Sequence, residues 1–573
     1  MHGDERHFFH RSIDGGIIAP PFCPEVAAFP CAEDSVHGLM MDFDLTIPVL
    51  VRHAERLHRH REIVSRRPDR SLHRTTYGAV IQRARQLADA LRTLGVAPGD
   101  RVATFCWNHS RHLEAYYGVP GMGAVLHTLN IRLHPDDLAY IADHAGDSVV
   151  LVDRVLWPQF ERFRDRASFR DVIVIGDDEP PIPGTLDYET LLAAAGIHDF
   201  DTVPDERWAA AMCYTSGTTG KPKGVVYSHR STVLHSLGMS QADIDLFRER
   251  DTVCAMVPMF HANAWGAPYA CLMAGSRQIL PGPHLDSPSL LELLEGERVT
   301  VALGVPTIWN GLLQLLEREP NAHALSLRAA GTGGAAMPAS TIRALDRHGV
   351  PIVHLWGMTE TSPLGSYSRL TDALHDADDD VRYRYRATQG RPAPLVEIRA
   401  RSEEGLVPWD GETMGELEVR GPWITSGYYD SPETADRFTK DGWFRTGDIV
   451  TLAADGWISI CDRSKDLIKS GGEWISSVAL ENALMSHPAV LEAMVVGLPH
   501  PRWDERPLAC VVRREDASCC AEDLLAHLAA TFPTWSIPNA VEFRDSLPRT
   551  SVGKLDKKVM RQEYATYFST ASR

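Results

Sequence analysis

The sequence predicts an α/β protein: a large N-terminal domain of sheets with flanking helices, followed by a small α+β domain. Two observations carry this reading. Helix-period and strand-like segments alternate through the first part of the chain, and after about Arg463 the texture changes to a short mixture of strands and helices. A chain of 573 residues has room for such a pair.

Residues 1–39 hold Pro20, Pro21, Pro24 and Pro30 without sustained periodicity and read as an irregular arm. The alternative is a translation start at Met40 or Met41. From Pro48, the apolar residues Leu50, Val51, Ala54, Leu57 and Ile63 recur at three- and four-residue steps, which predicts a helix. Its other face (Arg52, His53, Arg56, His58, Arg59, His60, Arg61) reads as solvated, with phosphate binding as the alternative. Tyr77 to Leu94 predicts a second helix, with Gly95 as its C-cap. Arg101 to Cys106 predicts a buried strand, Leu138 to Ala145 a helix, and Ser148–Val152 and Val172–Ile175 two more strands. Such alternation describes a mostly parallel sheet covered on both faces. The acidic stretch Asp372–Asp380 reads as a solvated loop. Beyond Arg463 the order is helix Val478–Met485, strands Leu491–Val496 and Leu508–Arg513, helix Ala521–Ala530, strand Ala540–Phe543, and a closing helix from Lys557.

Composition removes several function classes. A formal charge of −18 leaves no general basic face for nucleic acid and no polybasic membrane anchor. No run approaches the ~20 apolar residues of a membrane span, and no secretory signal opens the chain. Stable membrane insertion is therefore not expected. The ten cysteines include no C-x-x-C, and the adjacent Cys519 and Cys520 read as unbridged. Reduced thiols point to a cytoplasmic protein.

The strongest chemical signal is Tyr214-Thr-Ser-Gly-Thr-Thr-Gly-Lys-Pro-Lys-Gly224, which follows the strand-like stretch Trp208–Cys213. Three glycines allow close backbone approach, four hydroxyls add donors, and Lys221 and Lys223 add charge. Successive N–H groups in such a loop make an anion nest suited to polyphosphate. No G-x-x-x-x-G-K-[ST] aligns, so this is not a Walker A loop.

This loop resembles the phosphate loop of the adenylate-forming superfamily. Further motifs agree in order: Gly333-Gly-Ala-Ala-Met-Pro338, Trp356-Gly-Met-Thr-Glu-Thr361, Gly415-Glu-Leu-Glu-Val-Arg-Gly421 with Gly427-Tyr-Tyr429, and Trp443-Phe-Arg-Thr-Gly-Asp448. Asp462-Arg-Ser-Lys-Asp-Leu-Ile-Lys-Ser-Gly-Gly472 and Pro548-Arg-Thr-Ser-Val-Gly-Lys554 complete the set. Within the superfamily, Val257-Pro-Met-Phe-His-Ala-Asn-Ala-Trp265, Leu280-Pro-Gly-Pro283 and Lys469-Ser-Gly-Gly-Glu-Trp-Ile-Ser-Ser477 resemble medium- and long-chain fatty-acyl-CoA synthetases. The resemblance implies a large domain of mixed sheets over residues 40–462 and a small mobile domain over 463–573. It also implies the reaction: a fatty acid and ATP give acyl-AMP and pyrophosphate, and coenzyme A then takes the acyl group. A short or functionalised acid, or a carrier protein as acyl acceptor, is the alternative.

The resemblance assigns roles by position. Lys554 would stabilise charge developing in adenylation, Thr359 would bind the α-phosphate, and Glu360 with Thr215 would hold Mg²⁺, a hard cation that favours oxygen ligands. Ser216, Gly217, Thr218, Thr219, Gly220, Lys221 and Lys223 would cradle the phosphates of ATP. Gly333, Gly334 and Ala335 would lie along the adenine, with Trp356 stacked on it and Gly357 and Met358 beside it. Many relatives have Tyr at the position of Trp356; Trp keeps the π-face and loses the hydroxyl. Asp448 would accept from the ribose hydroxyls and Arg463 would donate there. His261, Trp265, Val305 and Gly331 would line the acyl site, with Trp265 as a gate. Lys465 would be the hinge between adenylating and thioester-forming states. Gly471, Gly472 and Trp474 would then meet coenzyme A. Relatives of this type are often homodimers.

Overall fold

The computed structural model describes residues 38–570 apart from 178–179, 201–202, 204, 216–220, 320–321, 516 and 551–553. The first helix, Ile47–Leu57, buries Ile47, Leu50, Val51 and Ala54, while Arg52, His53 and Arg56 face solvent as expected. Ile63 does not continue it. It lies in the strand Glu62–Arg66, opposite Gln278 of one neighbour and Thr75 of the other. The β-branched pair Ile63–Val64 finds strand partners on both sides, and this pairing overrides a helical spacing that was coincidental. Of residues 1–39 only Gly38 and Leu39 are described.

The helix Tyr77–Thr93 begins at Thr76, whose hydroxyl accepts from the Ala79 N–H, and ends just before Gly95 at φ +81°. Alternation then delivers the expected parallel sheet. Its seven strands run, in spatial order, Leu186–Asp187, Asp171–Ile175, Asp147–Asp153, Arg101–Phe105, Val125–Thr128, Ala209–Tyr214 and Gly224–Ser228. Only the last pairing is antiparallel; it is the hairpin that carries the glycine- and hydroxyl-rich loop.

A second, nine-stranded sheet brings together Arg391–Pro392, Ser366–Ser368, Ile352–Trp356, Ala329–Gly333, Val301–Gly304, Thr252–Ala255, Arg277–Leu280, Glu62–Arg66 and Leu72–Thr76. Its centre is parallel and its edges antiparallel. One continuous apolar core spans residues of both sheets, from Val51 and Tyr77 to Leu355 and Ile458. The acidic stretch at Asp372 is not all loop. Asp372–His375 makes one helical turn, and Asp379–Arg386 is a helix with Asp379 and Asp380 in its first turn and Arg384 and Arg386 in its last. That placement of charge complements the helix dipole, so the acidity that reads as a loop is the start of a helix.

A third sheet is antiparallel, in the order Gly405–Leu406, Glu397–Ser402, Gly415–Arg420, Phe444–Leu452, Ile458–Arg463. A fourth lies wholly beyond Arg463: Glu473–Ile475, Ile468–Ser470, Asp504–Arg513 and Val490–His500, with Ala540–Phe543 pairing to Asp504–Arg513. Its helices Ser477–Ser486, Ala521–Ala529 and Lys557–Glu563 match the expected set, and its two long strands overrun the expected ones at both ends or at the start. Two clusters, around Leu480 and Val511 and around Met494 and Met560, give this unit its own core. Cys519 is buried, Cys520 is exposed, and neither is bridged.

Candidate active site

Ligands of open α/β sheets bind beyond the carboxyl ends of the strands, and this is where a cleft of about 550 Å³ opens. The strand Ala329–Gly333 runs out into Gly334, Ala335 and Ala336, and Ile352–Trp356 into Gly357, Met358, Thr359 and Glu360. Val305 follows the strand Val301–Gly304, and the segment Pro258–Trp265 follows Thr252–Ala255. Thr215, Lys221 and Lys223 enter from the hairpin of the seven-stranded sheet, Asp448 and Arg463 from the third sheet, and Lys465 and Lys554 from the part of the chain beyond Arg463.

The Asp448–Arg463 pair is built by strand register. Asp448 and Arg463 are direct cross-strand partners, and Arg463 Nε lies 2.7 Å from Asp448 Oδ1. The other carboxylate oxygen accepts from Trp356 Nε1 at 3.0 Å. The indole thus ties its sheet to the next through a buried carboxylate. Lone pairs remain on both Asp448 oxygens for further donors.

Glu360 is buried at the cleft floor. Its Oε1 accepts from the Tyr428 hydroxyl at 2.6 Å, and it makes no ion pair with a described residue. A buried carboxylate without a cationic side chain fits a hard cation, since burial of an uncompensated charge is costly. Thr359 is fixed through its carbonyl, which accepts from Tyr227. Gly357 allows only glycine: a Cβ there would fall 1.5 Å from the Pro363 carbonyl oxygen.

The neck of the phosphate-type hairpin is closed by two bonds, Thr215 N–H to the Lys223 carbonyl (2.9 Å) and Lys223 N–H to Thr215 Oγ1 (3.1 Å). Lys221 and Lys223 cover the rings of Tyr140 and Tyr428. Ser216, Gly217, Thr218, Thr219 and Gly220, named from the sequence as phosphate ligands, lie outside the described residues.

Lys554 reaches the cleft from a hairpin closed by the Arg549–Leu555 bridge and by its own N–H bond to Thr550 Oγ1. Its Cε would lie 3.4 Å from a Cβ at Gly334, whose φ is +87°, so glycine gives the lysine its room. Burial brings the Lys554 ammonium down to about 8; Arg463 pushes the same way, and Asp448 and Glu360 oppose. His261 lines the same cleft. Burial, with help from Lys554 and Arg132, takes its imidazole to about 3, so it stays neutral at ordinary pH.

Residues Ala262, Asn263, Ala264, Trp265 and Gly266 run consecutively at positive φ, between +37° and +71°. This left-handed turn is tied by the Ala262 N–H to Cys213 Sγ and by Thr128 Oγ1 to Asn263 Oδ1 at 2.9 Å. It sets the Trp265 ring 3.5 Å from where a Cβ of Gly333 would be.

Four of the expected residues do not line the cleft. Gly331 lies in the core, where its carbonyl accepts from Trp309. Gly471 and Gly472 form the turn between strands Ile468–Ser470 and Glu473–Ile475, and Trp474 is half exposed on the second of these. Conversely, sequence reasoning passed over Tyr428 and Tyr227, although Tyr428 stands inside the quoted Gly427-Tyr-Tyr429.

Comparison with known proteins agrees with this geometry. Residues 50–429 match the family described as AMP-binding enzyme, and residues 479–554 match the AMP-binding enzyme C-terminal domain. A long-chain-fatty-acid–CoA ligase of Thermus thermophilus is 49% identical, over 93% of this chain and 98% of its own. A 3-methylmercaptopropionyl-CoA ligase of Ruegeria pomeroyi is 44% identical over 92% and 98%. A medium-chain-fatty-acid–CoA ligase of Ectopseudomonas oleovorans is 41% identical over 92% and 97%. The crystal structure of ATP-bound MatB from Rhodopseudomonas palustris superposes with a TM-score of 0.78 at 27% identity, over 92% of this chain and 100% of that one.

Proposed function

The chain belongs to the AMP-binding enzyme family and is an acyl-CoA ligase that works through an acyl-adenylate; we propose that its acid is a medium- or long-chain fatty acid. The observation that supports the reading best is the meeting of Lys554, from the small unit, with Gly334, Asp448 and Arg463 in one cleft.

In the first step a carboxylate oxygen attacks the α-phosphorus of ATP and pyrophosphate leaves. Both reactants are anions, so cations must lie between them. Lys554 takes that task, with Thr359 on the α-phosphate and Thr215, Lys221, Lys223 and residues 216–220 around the rest of the triphosphate. Asp448 and Arg463 hold the ribose. Trp356 stacks on adenine, with Gly333, Gly334, Ala335, Gly357 and Met358 along its edges. Glu360, assisted by Thr215, suits Mg²⁺, which when bound neutralises phosphate charge. In the second step the thiol of coenzyme A attacks the acyl carbonyl and AMP leaves.

The acyl chain runs past His261, Val305 and Trp265. The domain boundary falls between Asp462 and Arg463, with Lys465 at the hinge; among the described residues the fourth sheet pairs with none of the other three. Turning there brings Gly471, Gly472 and Trp474 to the thiol. Among the described residues no helix is long and apolar enough to cross a membrane, and the eight described cysteines are unbridged, which suits the cytosol. The exposed run Leu39, Met40, Met41 and Phe43 suits a contact between two copies of the chain.

A functionalised acid is the second reading, favoured by the 3-methylmercaptopropionyl-CoA ligase at 44% identity. The test offers the purified protein ATP, Mg²⁺, coenzyme A and acids from acetate to oleate, with aryl and sulfur-containing acids beside them. Mass spectrometry follows AMP, acyl-AMP and acyl-CoA. An acyl-CoA maximum at a medium or long aliphatic length supports the proposal. A maximum with the sulfur acid overturns it in favour of the second reading.

A further inference from the structure

We propose that Asp462 is a positioning residue: it holds the small domain where Lys554 enters the cleft, and its grip must open before the thioester step. This rests on the ligase reading above and adds a residue to which that reading gives no role.

Asp462 is next to last in the strand Ile458–Arg463, which ends the third sheet. It is about 1% exposed, although no arginine or lysine side chain is bonded to its carboxylate among the described residues. Instead, Oδ2 accepts from the backbone N–H of Ser477 (2.7 Å) and from its hydroxyl (2.5 Å), while Oδ1 accepts from the Arg463 N–H (2.8 Å). Ser477 is the first residue of the small-domain helix Ser477–Ser486. The cap residue before it, Ser476, also donates its hydroxyl to the Cys461 carbonyl. A buried carboxylate on a helix N-terminus, with two charge-assisted bonds, is a strong and directional contact.

The contact continues to the catalytic lysine. Ser477 Oγ accepts from Lys557 Nζ at 2.5 Å, and Lys557 pairs with Glu481 at 2.7 Å. Lys557 opens the helix Lys557–Glu563, three residues after Lys554. Asp462 therefore fixes, through Ser477 and Lys557, the base of the hairpin that aims Lys554. Among the described residues, the ion pairs Glu317–Arg514 and Arg318–Glu515 also cross this boundary, but on the surface, where such pairs contribute little; Arg463–Asp448 lies at the link itself, about which the unit turns.

The same bonds must break in the second step. Gly471 and Gly472 are outside the cleft while Lys554 is inside it. Their turn belongs to the sheet on which Ser477–Ser486 packs, so it reaches the cleft only if the whole unit rotates about the link after Arg463. Rotation carries Ser477 off Asp462.

The test uses the full chain and separates the half-reactions: ATP–pyrophosphate exchange with dodecanoate, and thioester formation from prepared dodecanoyl-AMP with coenzyme A. Asp462→Ala should cut exchange about ten-fold or more and leave the thioester step unchanged or faster. Asp462→Asn keeps an acceptor oxygen for Ser477 and should recover most of the exchange. Ser477→Ala, a milder change at the other end, should fall between them and decides the matter if Asp462→Ala does not fold. Equal losses in both half-reactions, or unchanged exchange in Asp462→Ala and Ser477→Ala alike, would overturn the proposal. Wild-type protein silent in both assays would instead overturn the fatty-acid reading alone, and the same comparison of variants is then made with the acid that yields acyl-CoA.

Discussion

In the proposed reaction Lys554 brings a positive charge to the point where two anions must react, and its surroundings weaken its hold on the proton. With an ammonium value near 8 in the ligand-free cleft, the lysine is charged below that pH and neutral above it. Adenylation needs the charged form. The kcat/KM for acyl-AMP formation should therefore fall as pH rises through about 8, because that quantity reports the free enzyme. Lys554→Ala should remove the limb and lower adenylation about 10²–10³-fold; a variant that adenylates normally would sink the assignment. Tyr428 is the second residue with a measurable task. Its hydroxyl orients the buried Glu360 carboxylate, and loss of such an outer partner typically weakens metal binding about 10–100-fold. Tyr428→Phe should raise the Mg²⁺ concentration needed for half-maximal exchange by that order. Lys554, Asp448, Arg463 and Glu360 were legible in the sequence because each sits in a motif of fixed local spacing. Tyr428 was not, because its partner lies 68 positions away, and only the fold brings the two together.

Among the elements, the seven-stranded sheet was the legible one: its buried strands at Arg101, Val149, Val172 and Ala209 stand out as apolar runs between helix-period segments, whereas no strand of the nine-stranded sheet was read and its Ile63 was taken for helix. The third sheet was harder. Its strands Glu397–Ser402 and Gly415–Arg420 are apolar at every second position only, and charged pairs such as Arg399–Glu418 and Arg420–Glu397 tie the remainder. Those ties form across a register that local spacing does not reveal. The turn Ala262–Gly266 left no signal at all, since four of its five residues are not glycine and left-handed backbone costs such residues roughly 1–2 kcal/mol each. Strain of this kind is kept where neighbours enforce it, here Cys213 and Thr128. Its result is the Trp265 ring set against Gly333 inside the cleft. Trp265→Ala should therefore open the acyl path and move the preferred acid to longer chains, read from acyl-CoA yields across an even-numbered series. An unchanged length profile would reduce Trp265 to a packing residue.

For the whole molecule, the charge arithmetic and the site point in opposite directions. The chain carries −18, yet in one cleft Lys221, Lys223, Arg437, Arg463, Lys465, Lys554 and Lys557 outnumber the carboxylates Glu360, Asp448, Asp462, Asp466 and Glu481. Local field, not net charge, decides what such a cleft attracts, and ATP and coenzyme A are both strongly anionic. On the proposed reading they are served by two arrangements of the small domain, because Lys554 lines the cleft while the turn at Gly471 and Gly472 stands outside. A change confined to that turn should then act on one half-reaction only. Gly471 sits at φ +61°, and a Cβ there would meet the Trp503 ring at 2.9 Å. Gly471→Val strains the turn in both respects, a cost on the order of 1–3 kcal/mol, far from the adenylating residues. Thioester formation from prepared acyl-AMP should drop about ten-fold or more, while ATP–pyrophosphate exchange stays near the wild-type rate. Loss of exchange alone would place the turn in the adenylating arrangement and remove the reason for the small domain to rotate.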